Sequence, residues 1–486
     1  MTLSYIPADT NDEGVFKATA SGSLPSGKTV IVNADGTVSV IAAVSASTGS
    51  AAVYETEEVA WNTAVFDSSN NKVVVVYRTY NGGGGNELME YVVGTVSGSS
   101  ISFSSPATAY DGDPNNIDSV FDSANNRIVV SFGNDSDSGK GYAIVGSLSG
   151  TTVTWGTATK FEDANTDWGK ICFDTTANKV VIAYRDVGNS NYGTAIVGTI
   201  SGTGISFGSP VVFESASTAH VGIDYDSNAN RTVIAYKDAG NSNYGTAIVG
   251  TISGTGISFG SAVVFAEVTA NYSDAVFDSN SNKIVIAYQD ASDGNAGKAV
   301  VGTVSNTAIS FGTPVEFNSD TRAFLAIAFD SSSNKVIIAH KDYANSLYGT
   351  VISGSVSGTS IAFDSAVVFE AATTNYIGMC FDSNANKSVM VYTDAGNGGD
   401  GTAITFTSSS TNLTAENYIG ISTGGTYASS SNATVKIIGN TSNDQSSLTA
   451  GQSYFVQTDG TIGTTAADPS VFAGTAVSAT KLIVKT

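Results

Sequence analysis

The chain has 486 residues, of which 41% are apolar and only 13% charged, with 52 Gly, 21 Tyr and 22 Phe. A coiled coil draws about half its residues from Ala, Glu, Lys, Leu and Arg, and a disordered chain lacks β-branched and aromatic residues, so both are excluded. The 21 Lys+Arg against 43 Asp+Glu leave a formal charge of −22, which argues against a nucleic-acid partner, because affinity for phosphates comes from cations that displace counterions.

The opening MTLSYIPADTNDEG has no basic n-region and no apolar segment. The expectation is a chain without a cleavable signal and without membrane insertion. Residues 1–37 read as a small N-terminal β module. In it, 29–33 (TVIVN) and 37–40 (TVSV) flank Asp35-Gly36, which is a hairpin signal.

From 38 to 408 the chain repeats. Variants of Phe-Asp-Ser-x-x-Asn-Lys place an Asp at Asp67, Asp122, Asp174, Asp226, Asp278, Asp330 and Asp382, with a first step of 55 residues and five further steps of 52. A period near 50 indicates a propeller or another repeat array. Each of the first six units carries four short runs rich in Val, Ile, Phe, Tyr and Thr, separated by turn residues. The expected fold class is therefore all-β, a seven-bladed β-propeller with small β modules from both flanks. The seventh unit lacks a fourth run, and residues 49–55 (GSAAVYE) resemble the fourth-run pattern GSPVVFE at 208–214. Residues 38–55 are thus expected to close the last blade and leave no open edge. Residues 409–486 form a C-terminal small β domain, with a second Asp-Gly hairpin at Asp459-Gly460.

The repeated motif lies between the first and second runs. Asp and Asn cap their own turns, and Asn tolerates a left-handed backbone, so a hairpin turn is the reading. The motif is only partly similar to the Asp-box of sialidases: the Gly-x-Thr-Trp portion is missing and the chain has five Arg. A second polar feature is the loop between the second and third runs. Its candidate binding residues are Asp186, Asn189, Asn191 and Tyr192 in unit three, and Asp238, Asn241, Asn243 and Tyr244 in unit four. Clustered oxygens around Gly could hold Ca²⁺, although the spacing is not that of an EF-hand. No other cofactor is implied. Residues 188–209 and 240–261 are identical over 22 positions, which suits a duplicated scaffold better than one asymmetric pocket.

Three departures from the repeat are notable. Asp224 is the one charge at a position held elsewhere by Val, Ala or Cys, and the register puts it between blades or near a channel. His340 takes a slot filled by Tyr in five other units. Cys172 and Cys380 hold the same place in non-adjacent units and read as buried thiols. With two His and no HExxH, GxSxG or CxxC motif, the expectation is that the chain is not an enzyme. The Gly run at 82–85 has no following helix and is no phosphate cradle.

The flanks carry a resemblance. Residues 22–41 (GSLPSG leading into TVIVNADGTVSVI) and 448–461 (LTAGQSYFVQTDGT) with 476–480 (AVSAT) are similar to segments of tailed-phage virion proteins, tail fibres and related appendages, particularly marine ones. The resemblance implies a virion structural protein, with the propeller as a rigid display or host-contact platform. Its implied partners are other virion proteins and a host surface glycan or receptor, in an oligomeric assembly. The alternative is a carbohydrate-binding, lectin-like β-propeller.

Overall fold

The computed structural model describes residues 14–80, 87–466 and 470–485. The first 13 residues and the Gly run at 82–85 lie outside them. Two compact units emerge: residues 46–408, and the two flanks together, up to Ser45 and from Ser409. The division falls after Ser45 and before Ser409, and the two flanks cluster as one unit.

In the flank unit the chain's two ends interleave within one sheet, ordered Val15–Thr19, Asn432–Lys436, Tyr418–Thr423, Thr29–Val32, Val38–Val40. A second sheet comes from the C-terminal flank alone, through Ser453–Val456, Val471–Ser478 and Lys481–Val484. Ile31 and Ile41 share one apolar core with Ile421, Val456 and Leu482. Both Asp-Gly hairpins form, and Asp35 and Asp459 each accept from the backbone N–H and hydroxyl of the Thr two residues on.

In the large unit the repeats fold as antiparallel sheets. In unit four, Arg231–Asp238 pairs with the second half of Val211–Asp226 on one side and with Tyr244–Ser253 on the other. The outer edge is shared by Gly256–Phe259 and the start of Val263–Asp278. That last strand, 16 residues long, then runs on to become the inner strand of unit five. The middle strands read as unbroken apolar runs because sheets cover them on both faces. Ile284–Tyr288 is an example, no residue of it more than 1% exposed.

The seventh unit borrows its outer edge from the start of the repeat. Ala52, Val53 and Glu55 pair with Ala403, Thr402 and Gly401 of the strand Asp400–Thr407. Inner strands pack unit against unit, and that of unit seven (Val367–Asp382) packs against that of unit one (Ala52–Asp67). The same links recur at this junction as elsewhere. Tyr184, Tyr236 and Tyr392 donate their hydroxyls to Glu162, Glu214 and Glu370 of the preceding outer edge, and Tyr77 does so to Glu55. Every motif Asp accepts from two backbone N–H groups of its own turn, as Asp278 does from Asn280 and Ser281 at 2.9 and 3.0 Å. The motif Asn residues all have φ between +52° and +55°, the left-handed corner that Asn tolerates. Both cysteines are buried and free.

Glycine sets the spacing between units. A Cβ at Gly208 would collide with the Thr255 carbonyl of the next unit; Gly156, Gly260 and Gly312 meet Thr203, Thr307 and Thr359 likewise, and Gly49 meets Ser99. Gly208→Ala should therefore lower unfolding free energy by about 2 kcal/mol, since the neighbour is rigid backbone. A chemical-denaturation curve checks this, and an unchanged midpoint would refute the contact.

His340 is fully buried in its Tyr slot, its Nδ1 3.3 Å from the Thr321 hydroxyl and its ring edge-on to Phe317. Burial lowers its pKa from 6.5 to about 4. The unfolded chain therefore takes the proton first, so the neutral ring's contribution is complete above pH 6.5 and is lost as pH falls toward 4. His340→Tyr should lose on the order of 2 kcal/mol less stability than wild type between pH 7 and 4.5. Melting curves at both pH values measure the difference, and parallel losses would contradict it.

Candidate functional site

In every unit the inner strand slips register against the second strand at one bulge. It lies between Ala60 and Thr63 in unit one, Asn115 and Asp118 in unit two, and Asp167 and Lys170 in unit three, and it recurs in the other four. Each bulge holds a left-handed residue with φ from +46° to +55°, namely Trp61, Asn116, Trp168, His220, Tyr272, Phe324 and Tyr376, joined in unit six by Ala323 at +62°. For bulky side chains that backbone costs on the order of 1–3 kcal/mol per residue. A bulge re-aims a side chain out of the sheet's alternation, and all seven residues line one cavity of about 330 Å³.

Six of the seven are aromatic. Ring centroids lie 4.1 Å apart for Trp168 and His220, 4.6 Å for His220 and Tyr272, 4.7 Å for Phe324 and Tyr376, and 5.2 Å for Tyr376 and Trp61. Burial, then the charges of Lys237 and Arg185, lower the His220 pKa to about 3, so at neutral pH it is an uncharged ring. Among the cavity-lining residues, Asn62 Oδ1, His220 Nδ1 and Ser273 Oγ have no hydrogen-bond partner within the protein.

A second cavity of about 300 Å³ shares Asn62, Ile117, Lys170 and Asp274 with the first. Lys170 Nζ stands 3.9 Å from Asp118 and 3.7 Å from Asp274. Burial works against the ammonium, but the two carboxylates outweigh it and hold Lys170 charged above its ordinary value. Burial raises Asp118 and Asp274, with Lys170 acting against it. Asp224 also lines this cavity; its carboxylate accepts from the N–H groups of Tyr225 and Phe277 at 2.7 Å each, yet burial raises its pKa to about 6.

Around the aromatic cavity four second strands carry Arg78, Arg185, Lys237 and Lys341 at one shared register, one residue before each strand ends. Arg185 pairs with Asp167 and Arg78 with Glu87. Lys237 and Lys341 donate to the side-chain oxygens of Asn271 and Asn375, at 3.0 and 2.8 Å.

The polar loops singled out from sequence lie beside this face. Asp186 and Asp238 pair in register with Thr166 and Thr218, two residues before Trp168 and His220. Their carboxylates cap short 3₁₀ turns, Asp186 accepting from Asn189 N–H and Asp238 from Gly240 and Asn241 N–H. Asn191 and Asn243 take left-handed backbone at φ +63°, and their carbonyls accept from Thr218 and Ala270. Asn189 and Asn241 are exposed, while Tyr192 and Tyr244 are half-buried where the third strands begin. Among the described residues no hydrogen bond joins the two loops, and no three His, Cys, Asp or Glu side chains converge to hold a metal ion such as Ca²⁺.

The aromatic ring itself is absent from the sequence-level candidates. Its signal is present: an aromatic six residues before the motif Asp in six of seven units. Alternation along the strand does not show that these side chains converge, because the bulge breaks that alternation.

No family model matches the chain, and no curated protein matches it. Among solved structures, it is similar to the BP39L lectin of Burkholderia pseudomallei at TM-score 0.52 and 14% identity, over 74% of this chain and 99% of that one. Two structures of Trypanosoma rangeli sialidase, one with the inhibitor DANA bound, match at TM-score 0.41 and 10% and 9% identity, over 81% of this chain and 59–60% of theirs. At such identities the likeness is one of fold, all-β and propeller-like. It corrects one expectation: the neighbours include sialidases, which are enzymes, beside a lectin. The short list of missing motifs therefore does not make this chain a non-enzyme, since one fold carries both kinds of site.

Removing the cation of the second cavity should expose what it balances. Lys170→Met is expected to cost about 2 kcal/mol at pH 7, below the range for fully buried pairs because the site faces an open cavity. Asp118 and Asp274 are raised in the folded chain, so they take protons more readily folded than unfolded, and the cost should shrink as pH falls toward 4. Melting temperatures of the variant at pH 7 and 4.5 test this; a cost that grows on acidification would refute the pairing.

Proposed function

We propose that the large unit is a seven-bladed β-propeller that binds carbohydrate in its aromatic cavity. The observation that carries this reading is the ring of six aromatic side chains held at strained bulges around an open cavity. A pyranose ring has an apolar C–H face that packs on aromatic rings and a rim of hydroxyls that needs hydrogen-bond partners. Small-molecule sites combine these same elements, apolar and aromatic walls with a few polar groups. Asn62, His220 and Ser273 supply hydrogen-bonding atoms that the protein leaves unmatched. The structural likeness to a lectin supports the same class of ligand.

The virion role suggested by the flanks is a separate proposal and rests on those short motifs. A surface platform of that kind would meet host glycans through this face.

A glycan array probed with the labelled protein tests the carbohydrate reading. Wild type should bind a defined subset of sugars, and Trp168→Ala should weaken those signals at least tenfold while leaving the melting temperature within a few degrees. Absence of binding to every sugar, or full binding by Trp168→Ala, would overturn it.

A further inference from the structure

Unit two breaks the pattern twice at the same place. The aromatic of the ring becomes Asn116, and the position before the end of the second strand, a cation in four units and Gln289 or Thr393 in two others, becomes Gly133. Both changes remove bulk, and a cavity of about 370 Å³ opens there.

Its walls come from the two neighbouring units. Trp61 and Arg78 belong to unit one, Trp168 and Arg185 to unit three, and all four line the cavity. Asn115 and Tyr80 also line it. A Cβ at Gly133 would press on the Asn115 side-chain oxygen, so a larger residue there needs Asn115 to move or shrink. Asn116 donates to that same oxygen at 2.9 Å, and Arg78 lies over the Tyr80 ring, 4.6 Å from its centroid. Trp61, Asn116, Trp168 and Tyr376 line both this cavity and the aromatic one, so the two adjoin.

We infer that this gap is a second sugar subsite, next to the first, and that the ligand is an uncharged oligosaccharide of at least two residues. The inference rests on the carbohydrate reading above and adds the ligand's length and charge. Length follows from two adjoining cavities that share Trp61 and Trp168. Charge follows from a count of the lining: Arg78 and Arg185 are matched by Asp135 and Asp167. A balanced lining offers no net attraction to a carboxylated or sulfated sugar, and the chain's charge of −22 repels one. Paired guanidinium and carboxylate groups still offer donors and acceptors to hydroxyls, and Arg185 Nε has no hydrogen-bond partner.

The test uses the whole chain and its intrinsic fluorescence, because two of its three tryptophans, Trp61 and Trp168, flank the gap. The probes are mono- and disaccharides of glucose, galactose, mannose and N-acetylglucosamine, with glucuronic acid as the charged arm. Wild type should bind at least one disaccharide tenfold or more tightly than its monosaccharide, and glucuronic acid no better than glucose. Two variants fill or strip the gap at residues that do not themselves line the aromatic cavity. Asn115→Ala with Gly133→Lys recreates the Ala219–Lys237 pair of unit four, which the fold accommodates. Tyr80→Ala removes an aromatic wall. Each should reduce the disaccharide's affinity at least fivefold and leave the monosaccharide's within twofold. Equal wild-type affinity for both lengths, unchanged disaccharide binding in both variants, or tighter binding of glucuronic acid would overturn the subsite while leaving the aromatic cavity's role intact. No response to any sugar would overturn both.

Discussion

The large unit depends on strands that belong to two sheets at once. In five places a single strand of 16 residues forms the outer edge of one sheet and then the inner strand of the next. A strand shared in this way cannot shift in one sheet without shifting in its neighbour. It fixes the spacing that the Gly208–Thr255 type of contact then exploits, and it brings each Glu of the outer edge to the Tyr hydroxyl of the following unit. The junction between units seven and one uses the same devices, with 52–55 as the borrowed edge, Tyr77 with Glu55, and Gly49 against Ser99. An edge paired in this way presents no free row of N–H and C=O groups.

The same strands position the site. Where each turns inward, a bulge places one side chain outside the alternation and into a common cavity. The cost of a left-handed backbone at Trp, His, Tyr and Phe recurs around the ring. It is sustained because the pairing on either side of every bulge is intact, as with Ala219 opposite Lys237 and Gly222 opposite Ala235. Regular sheet thus holds irregular backbone in place, and the aromatic surface is largely preformed.

Electrostatics sets the two adjoining cavities apart. The aromatic cavity is walled by rings, one of them a histidine kept neutral by burial and by two nearby cations. The cavity that adjoins it holds Lys170 between Asp118 and Asp274, with Asp224 fixed by two backbone amides. An otherwise strongly acidic chain also gathers Arg78, Arg185, Lys237 and Lys341 at one register around this face, while its motif cations follow the opposite turns.

Much of the architecture was legible in the sequence because it depends on local chemistry repeated in register. The motif Asp and Asn determine a turn wherever they occur, Val-Ile-Ala-Tyr runs determine doubly covered strands, and GSAAVYE declares itself an outer edge by likeness to GSPVVFE. Asp224 was legible as a misplaced charge, though its two amide partners were not. The polar loops of units three and four drew attention for their side chains, yet their Asp oxygens serve as turn caps and two of their Asn supply left-handed corners. Tertiary structure alone decided which flank residues would share one core, and that seven residues some 52 positions apart would face each other. Convergence of that kind depends on how sheets pack and where each strand bulges. Those are properties of contacts between segments, which no single segment encodes.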